Sequence, residues 1–370
     1  MAHGSRLVDM VHERIEGFLA ERTSILREIS PDLAPLDAFS RRFLSGGKRF
    51  RALFCYWGWE AVGGRGFDPF APEGGRDKFP VVSAASALEL FHAAALLHDD
   101  IIDNSDTRRG APSGHRLFEQ LHADSGWAGS APEFGRASAI LLGDLLLGWS
   151  DELLDEGLAA LPDRDAARMA RSEFMRMRTE VTAGQYLDIL EERAWRSQAE
   201  SEQRLRAERV IVYKSAKYSI EAPLVIGGAI AGASTAQFDS LRAFGLPLGI
   251  AYQLRDDLLG VFGDPEVTGK PSGDDLREGK RTMLIAIARE RLAPGQRRLL
   301  DELLGDPDLA PEQVRMLQQT IRECGAVDEV EALITANVDT AATALEAAPI
   351  SRDARAELGS LARAVTRRTS

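Results

Sequence analysis

Cysteine is nearly absent from this chain of 370 residues. There are two, Cys55 and Cys324, and neither has a neighbour at CxxC spacing. That disfavours both a disulfide framework and a cysteine-ligated zinc site. Net positive charge is lacking too: the formal net charge is -12 and the isoelectric point is near 5.2. A general nucleic-acid binder, which needs a basic footprint to displace counterions, is disfavoured in turn. No apolar stretch runs clean for the ~18–20 residues that a membrane span needs; the longest are interrupted by Glu89, His92 and Asp144. Met1 to Arg22 holds no uninterrupted apolar core of a signal peptide. The expectation is a soluble cytoplasmic protein. Lysine is scarce, six against thirty-nine arginines, so each lysine's position is informative. Period-two alternation bounded by turn residues is almost missing, which leaves no predicted sheet.

What remains is helical periodicity. Leu7, Met10, Val11, Ile15, Phe18, Leu19, Ile25 and Leu26 recur at three- and four-residue spacing up to Pro31, the pattern of an amphipathic helix. A second helix is predicted after Pro35. Residues 83–102, 137–154, 174–191, 210–218, 222–233, 241–261 and 282–292 read as further helices, several apolar on nearly every side and therefore central. Amphipathic helices follow at 299–304, 311–324, 327–347 and 352–366. No repeat and no linker of distinct composition divides the chain. The predicted fold is all-α, one large helical domain over residues 1–370, with variable loops at about 62–80 and 123–136.

Two acidic clusters fall on core-like helices. In Asp99-Asp100-Ile101-Ile102-Asp103, Asp99 and Asp103 lie about 40° apart on the helix, with Asp100 in the same sector. Like charges at this spacing destabilise a helix, so carboxylates that follow the apolar run from Ala93 to Leu97 call for cations. Oxygen-only ligands suit a hard ion, Mg²⁺ where phosphates share the coordination. The second cluster is Asp256-Asp257; position 260, where a third acid would fall one turn on, is Gly. A solvated helix end is the bland alternative for the first cluster, and the second pair alone is weak evidence; two such clusters on core-like helices 157 residues apart are stronger.

Compact basic motifs surround them. Gly46-Gly47-Lys48-Arg49-Phe50-Arg51 precedes an apolar helix; its glycines allow close backbone approach to an anion, and Lys48 and Arg51 can grip phosphate oxygens. Arg108 and Arg109 follow the first acidic cluster, and arginine forks suit diphosphate geometry. Lys214, Lys270 and Lys280 flank the second. Any one lysine alone is more simply a solvated surface charge. Acids that bind metal and bases that hold phosphate, together on an apolar helical frame, point to a substrate with a diphosphate head and a greasy tail.

The segments GGKRFR (46–51), LLHDDIIDNSDTRRG (96–110), GQYLD (184–188), YKSAKYS (213–219) and YQLRDDLLGVFGDPEVTGKPSGDDLREGKRT (252–282) together resemble the trans-isoprenyl diphosphate synthases, the polyprenyl synthetase family. The resemblance implies a single all-α bundle of the isoprenoid synthase type around a deep apolar cavity, usually a homodimer. It implies that Asp99, Asp100 and Asp103 hold two Mg²⁺ ions against an allylic diphosphate, that Asp256 holds a third with Asp257 in support, and that Gln185 and Asp188 line the same site. Arg108, Lys214 and Lys270 would contact the allylic diphosphate. Lys48, Arg51, His92 and Arg109 would bind isopentenyl diphosphate. Ser215, Tyr252 and Gln253 match residues around the reacting carbons, and Lys280 matches a basic residue of a closing loop. Gly260 departs from the usual DDxxD of the second motif, and an apparent insertion between Lys270 and Lys280 leaves both Asp274 and Asp275 as candidates for one family position.

The reaction so implied is head-to-tail condensation of isopentenyl diphosphate with an allylic diphosphate. The residues one to two turns before Asp99 are expected to set product length. Ala94 and Ala95 are small there, and Phe91 lies one turn deeper, which favours a C20 product, geranylgeranyl diphosphate; farnesyl and longer chains are the alternatives. The two alanines are also compatible with simple helix packing. A class I terpene cyclase would need a second motif of Asn, Ser/Thr and Glu at four-residue spacing. The two asparagines, Asn104 and Asn337, start no such series. A non-catalytic regulatory subunit would tend to lose the acids or Lys48, which are present.

Overall fold

The computed structural model describes residues 2–63, 77–108, 110–264 and 271–366, with side chains from residue 6 onward. Most of the first predicted variable loop, Arg109 and Lys270 lie outside the described residues. By its internal contacts the chain divides into two compact units, Met1–Ser172 with Pro223–Ala233, and Glu173–Ala222 with Ser234–Ser370.

The first unit opens with α1 (Ala2–Ile29). Most of its predicted apolar stripe is buried, with Leu7, Val11, Ile15, Phe18 and Leu19 nearly inaccessible, but Ile25 near its end is 51% exposed. Ser30 ends it and caps a short 3₁₀ turn at Pro31–Leu33, its hydroxyl accepting from the Asp32 N–H. Next come α2 (Ala34–Leu44) and α3 (Phe50–Val62), then α4 (Phe79–Ile102), which begins four residues earlier than its periodicity suggests. A short antiparallel ribbon follows, pairing Thr107 with Pro112 and Arg108 with Ala111. No sheet was expected; strands of two residues are too brief to leave a period-two signature. The unit continues with α5 (Gly114–Asp124), α6 (Ala131–Ala159) and the start of α7 (Arg164–Ala194).

Helix α4 is the axis of this unit, packed chiefly against α6 and also against α3 and α1. It is long and apolar enough to cross a membrane by length and hydropathy, more so than the sequence reading allowed, but 83% of its apolar window is buried inside the protein. A core helix wrapped on all sides needs the same composition as a span. Most of α9 (Ala222–Ile230) docks on α3 through paired glycines. A Cβ at Gly58 would stand 2.9 Å from the Leu224 carbonyl carbon, and one at Gly227 2.8 Å from that of Cys55. The two backbones meet where neither carries a side chain.

In the second unit, α8 (Gln203–Val210) runs into an eleven-residue π-helical segment, Ile211–Glu221. A single-turn π-bulge is the commoner form, and such features are frequent at functional sites. Then come α10 (Thr235–Phe262), with a Ser234/Gln237 capping box at its start, α11 (Asp274–Glu278), α12 (Met283–Arg291), α13 (Pro294–Leu303), α14 (Pro311–Glu323), α15 (Ala326–Ala347) and α16 (Arg352–Thr366). Helix α10 packs on α15 and on the π-helical segment. Leu254, Leu284, Ile287, Leu317, Ile321 and Val330 form the heart of this unit's core.

Candidate active site

In the first unit the acidic cluster closes α4. The Asp103 N–H still donates to the Asp99 carbonyl at 2.8 Å, so Asp103 caps the helix in register with Asp99. Asn104 then enters the left-handed region at φ 52° and stops the helix; asparagine tolerates that conformation better than most residues. Asp100 is fully buried, while Asp99 and Asp103 are half-buried. The ribbon that follows turns the chain back toward its own helix. Arg108 thereby donates from Nε to Asp100 Oδ1 at 2.8 Å and from Nη2 to Asp99 Oδ2 at 3.5 Å. The arginine and the two aspartates converge as their chemistry requires.

The glycine-rich basic loop has an unusual backbone: Gly46, Gly47 and Arg49 all have positive φ, at 70°, 82° and 50°. The result separates neighbouring cations. Lys48 is exposed. Arg49 turns inward, donating to the Leu44 carbonyl and, at 3.1 Å, to Glu89 Oε2. Glu89 in turn accepts the Ala52 N–H at 3.3 Å. Arg51 and His92 are half-buried. His98, beside the acidic cluster, packs on Gly143 of α6, with Nε2 3.3 Å from the Ile140 carbonyl. Of the residues expected to set product length, Phe91 and Ala94 are buried and Ala95 is partly accessible.

In the second unit the π-helical segment presents Lys214 and Ser215. Gly184 of α7 makes this possible, since a Cβ there would stand 2.7 Å from the Lys214 Cα. The helices touch backbone to backbone, and Asp188, one turn further along α7, receives the Lys214 ammonium. Lys280 reaches the same carboxylate at 3.3 Å and Glu192 Oε1 at 2.9 Å. Lys280 is only 9% exposed and Asp188 8%, while Lys214 and Glu192 are half-buried, so two ammonium groups and two carboxylates form a partly buried cluster. Glu192 was not singled out from sequence; its place one turn beyond Asp188 on the same helix was the available signal.

On α10, Gln253 donates to Asp257 Oδ1 at 2.8 Å, while Tyr252 and Asp256 are half-buried. Asp257 Oδ2 is buried without a hydrogen-bond partner. Burial pushes the Asp257 carboxyl up to about 7; Asp256 and Asp188 push the same way, and the Gln253 bond and Lys214 oppose. A cation would relieve both the orphaned oxygen and the like charges, and all donors are carboxylate oxygens, as a hard divalent ion prefers. Among the described residues no three His, Cys, Asp or Glu groups form a ready-made metal cage. Mg²⁺ commonly takes only one or two carboxylates from a protein and completes its shell with water and substrate phosphate. The residues present fit such an ion.

A profile of the polyprenyl synthetase family matches residues 34–321. The chain is 29% identical over 320 residues to a geranylgeranyl diphosphate synthase of Saccharolobus solfataricus, spanning 86% of this chain and 83% of that protein. It is 30% identical over 305 residues to a geranylfarnesyl diphosphate synthase of Aeropyrum pernix, spanning 82% and 85%. A crystal structure of a geranylgeranyl pyrophosphate synthase from Corynebacterium glutamicum, complexed with isoprenyl diphosphate and magnesium, superposes with a TM-score of 0.90 at 38% identity, covering 98% of this chain and 99% of that one.

Proposed function

The chain belongs to the polyprenyl synthetase family and is a prenyltransferase that elongates prenyl chains, and from that premise we propose that it is a Mg²⁺-dependent geranylgeranyl diphosphate synthase, acting as a cytoplasmic homodimer. The observation that carries the proposal is the pairing of phosphate-type cations with metal-type carboxylates: Arg108 on Asp99 and Asp100, and Lys214 on Asp188. The C20 product is favoured by the small Ala94 and Ala95 before the first acidic motif and by the geranylgeranyl-forming relatives.

In this reading Asp99, Asp100, Asp103 and Asp256, with Asp257 and Asp188, hold Mg²⁺, which when bound neutralises charge on the leaving diphosphate. Arg108, Lys214 and Lys270 orient the allylic diphosphate and stabilise the charge that grows as its C–O bond breaks. Lys48, Arg51, His92 and Arg109 hold isopentenyl diphosphate so that its terminal double bond meets the allylic carbon. Gln185, Ser215, Tyr252, Gln253 and Lys280 position the reacting groups. Apolar helix faces keep water from the carbocation. The proton lost at the end passes to the departing diphosphate, so no histidine base is required.

The test is incubation of the purified chain with Mg²⁺, labelled isopentenyl diphosphate and each of the C5, C10 and C15 primers, followed by chromatography of the dephosphorylated alcohols. A C20 alcohol is expected. A C25 product would move the reading toward the Aeropyrum relative. A cyclised hydrocarbon, or no elongation without a second protein, would replace it with a cyclase or a regulatory subunit. Asp99→Ala should lower turnover by several orders of magnitude; near-normal turnover would refute the metal role.

A further inference from the structure

We infer that Asp275 supplies the second acidic motif with the carboxylate that position 260 lacks. The inference rests on the metal-dependent reading above and concerns which residues complete that motif. On α10, Asp256 and position 260 are one turn apart, and Asp257 and position 260 are three residues apart, so all three share a face. Position 260 is glycine and contributes nothing to that face itself. A Cβ placed there would run into the Asp275 carboxylate, and even the farthest of its three nearest atoms, Asp275 Oδ1, would be only 2.6 Å away. All three belong to that one carboxyl group. Asp275 therefore rests against the bare backbone of Gly260, in the volume where a motif side chain would begin.

The segment that carries Asp275 is fixed in place, which makes this more than a passing loop contact. Helix α11 is bracketed by Gly273 and Gly279, both left-handed at φ 74° and 81°. The Asp275 carbonyl accepts the N–H groups of Gly279 at 3.1 Å and Lys280 at 3.0 Å. Leu276 next to it is fully buried in the core, and its carbonyl accepts the Gly305 N–H at 2.9 Å. The same turn delivers Lys280 to Asp188 and Glu192. Of the two aspartates at 274 and 275, only Asp275 is among the atoms nearest the bare position. The plainer reading is that Gly260 is small only to let α11 dock. That reading makes the charge at 275 irrelevant, whereas ours makes it essential, since the Asp275 carboxylate lies against position 260 on the helix face that also carries Asp256 and Asp257.

The experiment compares the full-length protein with Asp275→Asn, Gly260→Asp and the double variant Gly260→Asp/Asp275→Gly. Each is titrated with Mg²⁺ in the presence of inorganic diphosphate, with calorimetric metal affinity and thermal midpoint as readouts. The metal-free midpoint reports folding. Asp275→Asn should weaken Mg²⁺ affinity about 10- to 100-fold while its metal-free midpoint stays near that of the parent. The double variant, which returns the carboxylate to α10, should recover most of that affinity. Gly260→Asp alone should not improve on the parent, because the two carboxylates compete for one volume. Parental affinity in Asp275→Asn overturns the inference. So does a folded double variant that binds no better than Asp275→Asn, and this arm decides alone if the single variant does not fold. A parent protein that shows no diphosphate-dependent Mg²⁺ binding would instead sink the metal-dependent reading, so the two failures are told apart.

Discussion

Arg49 follows Lys48 directly, yet Lys48 is exposed and Arg49 buried. The left-handed turn at Arg49 sends its guanidinium into the first unit, against Glu89, with both side chains only 6% exposed. Removing one partner of such a pair strands the other charge and costs about 3–5 kcal/mol, while replacing both costs much less. Arg49→Met should therefore lower unfolding stability sharply, and Arg49→Met/Glu89→Leu should recover much of the loss; equal damage from both in denaturant titrations would refute the pairing. From sequence, Arg49 is indistinguishable from its basic neighbours, because only the backbone sign of φ separates inward from outward. Ala94 and Ala95 divide in a similar way. Ala94 is fully buried, so Ala94→Phe overpacks α4 at about 1–3 kcal/mol. Ala95 is partly accessible and one turn before Asp99. On the proposed reading Ala95→Phe should shorten the prenyl product with little loss of stability, and an unchanged product distribution would remove Ala95 from chain-length control.

At the scale of elements, helix positions follow from periodicity while helix contacts follow from glycine. Gly184 sits in the middle of α7 with no turn to make; it is there because the Lys214 backbone lies against it. Gly184→Ala should push α7 from the π-helical segment and loosen the Asp188–Lys214 pair, costing about 1–3 kcal/mol; an unaltered thermal midpoint would refute that role. The π-helical segment ends at Glu221, whose burial raises its carboxyl above the ordinary value of 4.5 against the opposing pull of Lys217 and Arg242. The folded state thus holds this proton more tightly than the unfolded state. Its ionisation penalises the fold as pH rises from that ordinary value through the raised one. Glu221→Gln removes the titration, so the variant should gain stability relative to the parent as pH rises above the ordinary carboxyl value. A constant difference in thermal midpoint across that range would refute it. Period-3.6 reasoning places a helix over these residues but does not see the wider π turn, which tertiary packing imposes.

For the whole molecule, a net charge of -12 sits alongside a proposed substrate pair that is itself anionic. Local cations and bound metal have to overcome that field. Mg²⁺ together with inorganic diphosphate should raise the thermal midpoint, by about 2.7 kcal/mol of linkage at a hundredfold excess over Kd. Either component alone should do far less, and EDTA should reverse the gain. Equal stabilisation by diphosphate without metal would argue that Arg and Lys alone hold the ligand.

The sequence by itself determined the helical class, the order of the longer helices and the family that its motifs spell out. Those depend on local spacing along the chain, which a helix converts directly into faces. Tertiary structure alone decided that Arg108 turns back on Asp99 and Asp100, that Lys280 shares Asp188 with Lys214, that Arg49 leaves the glycine-rich basic loop for the core, and that the Asp275 carboxylate occupies the space beside Gly260. These are encounters between residues distant in the chain or differing only in backbone sign, and such encounters are set by which helices pack and how closely, a property no periodicity encodes.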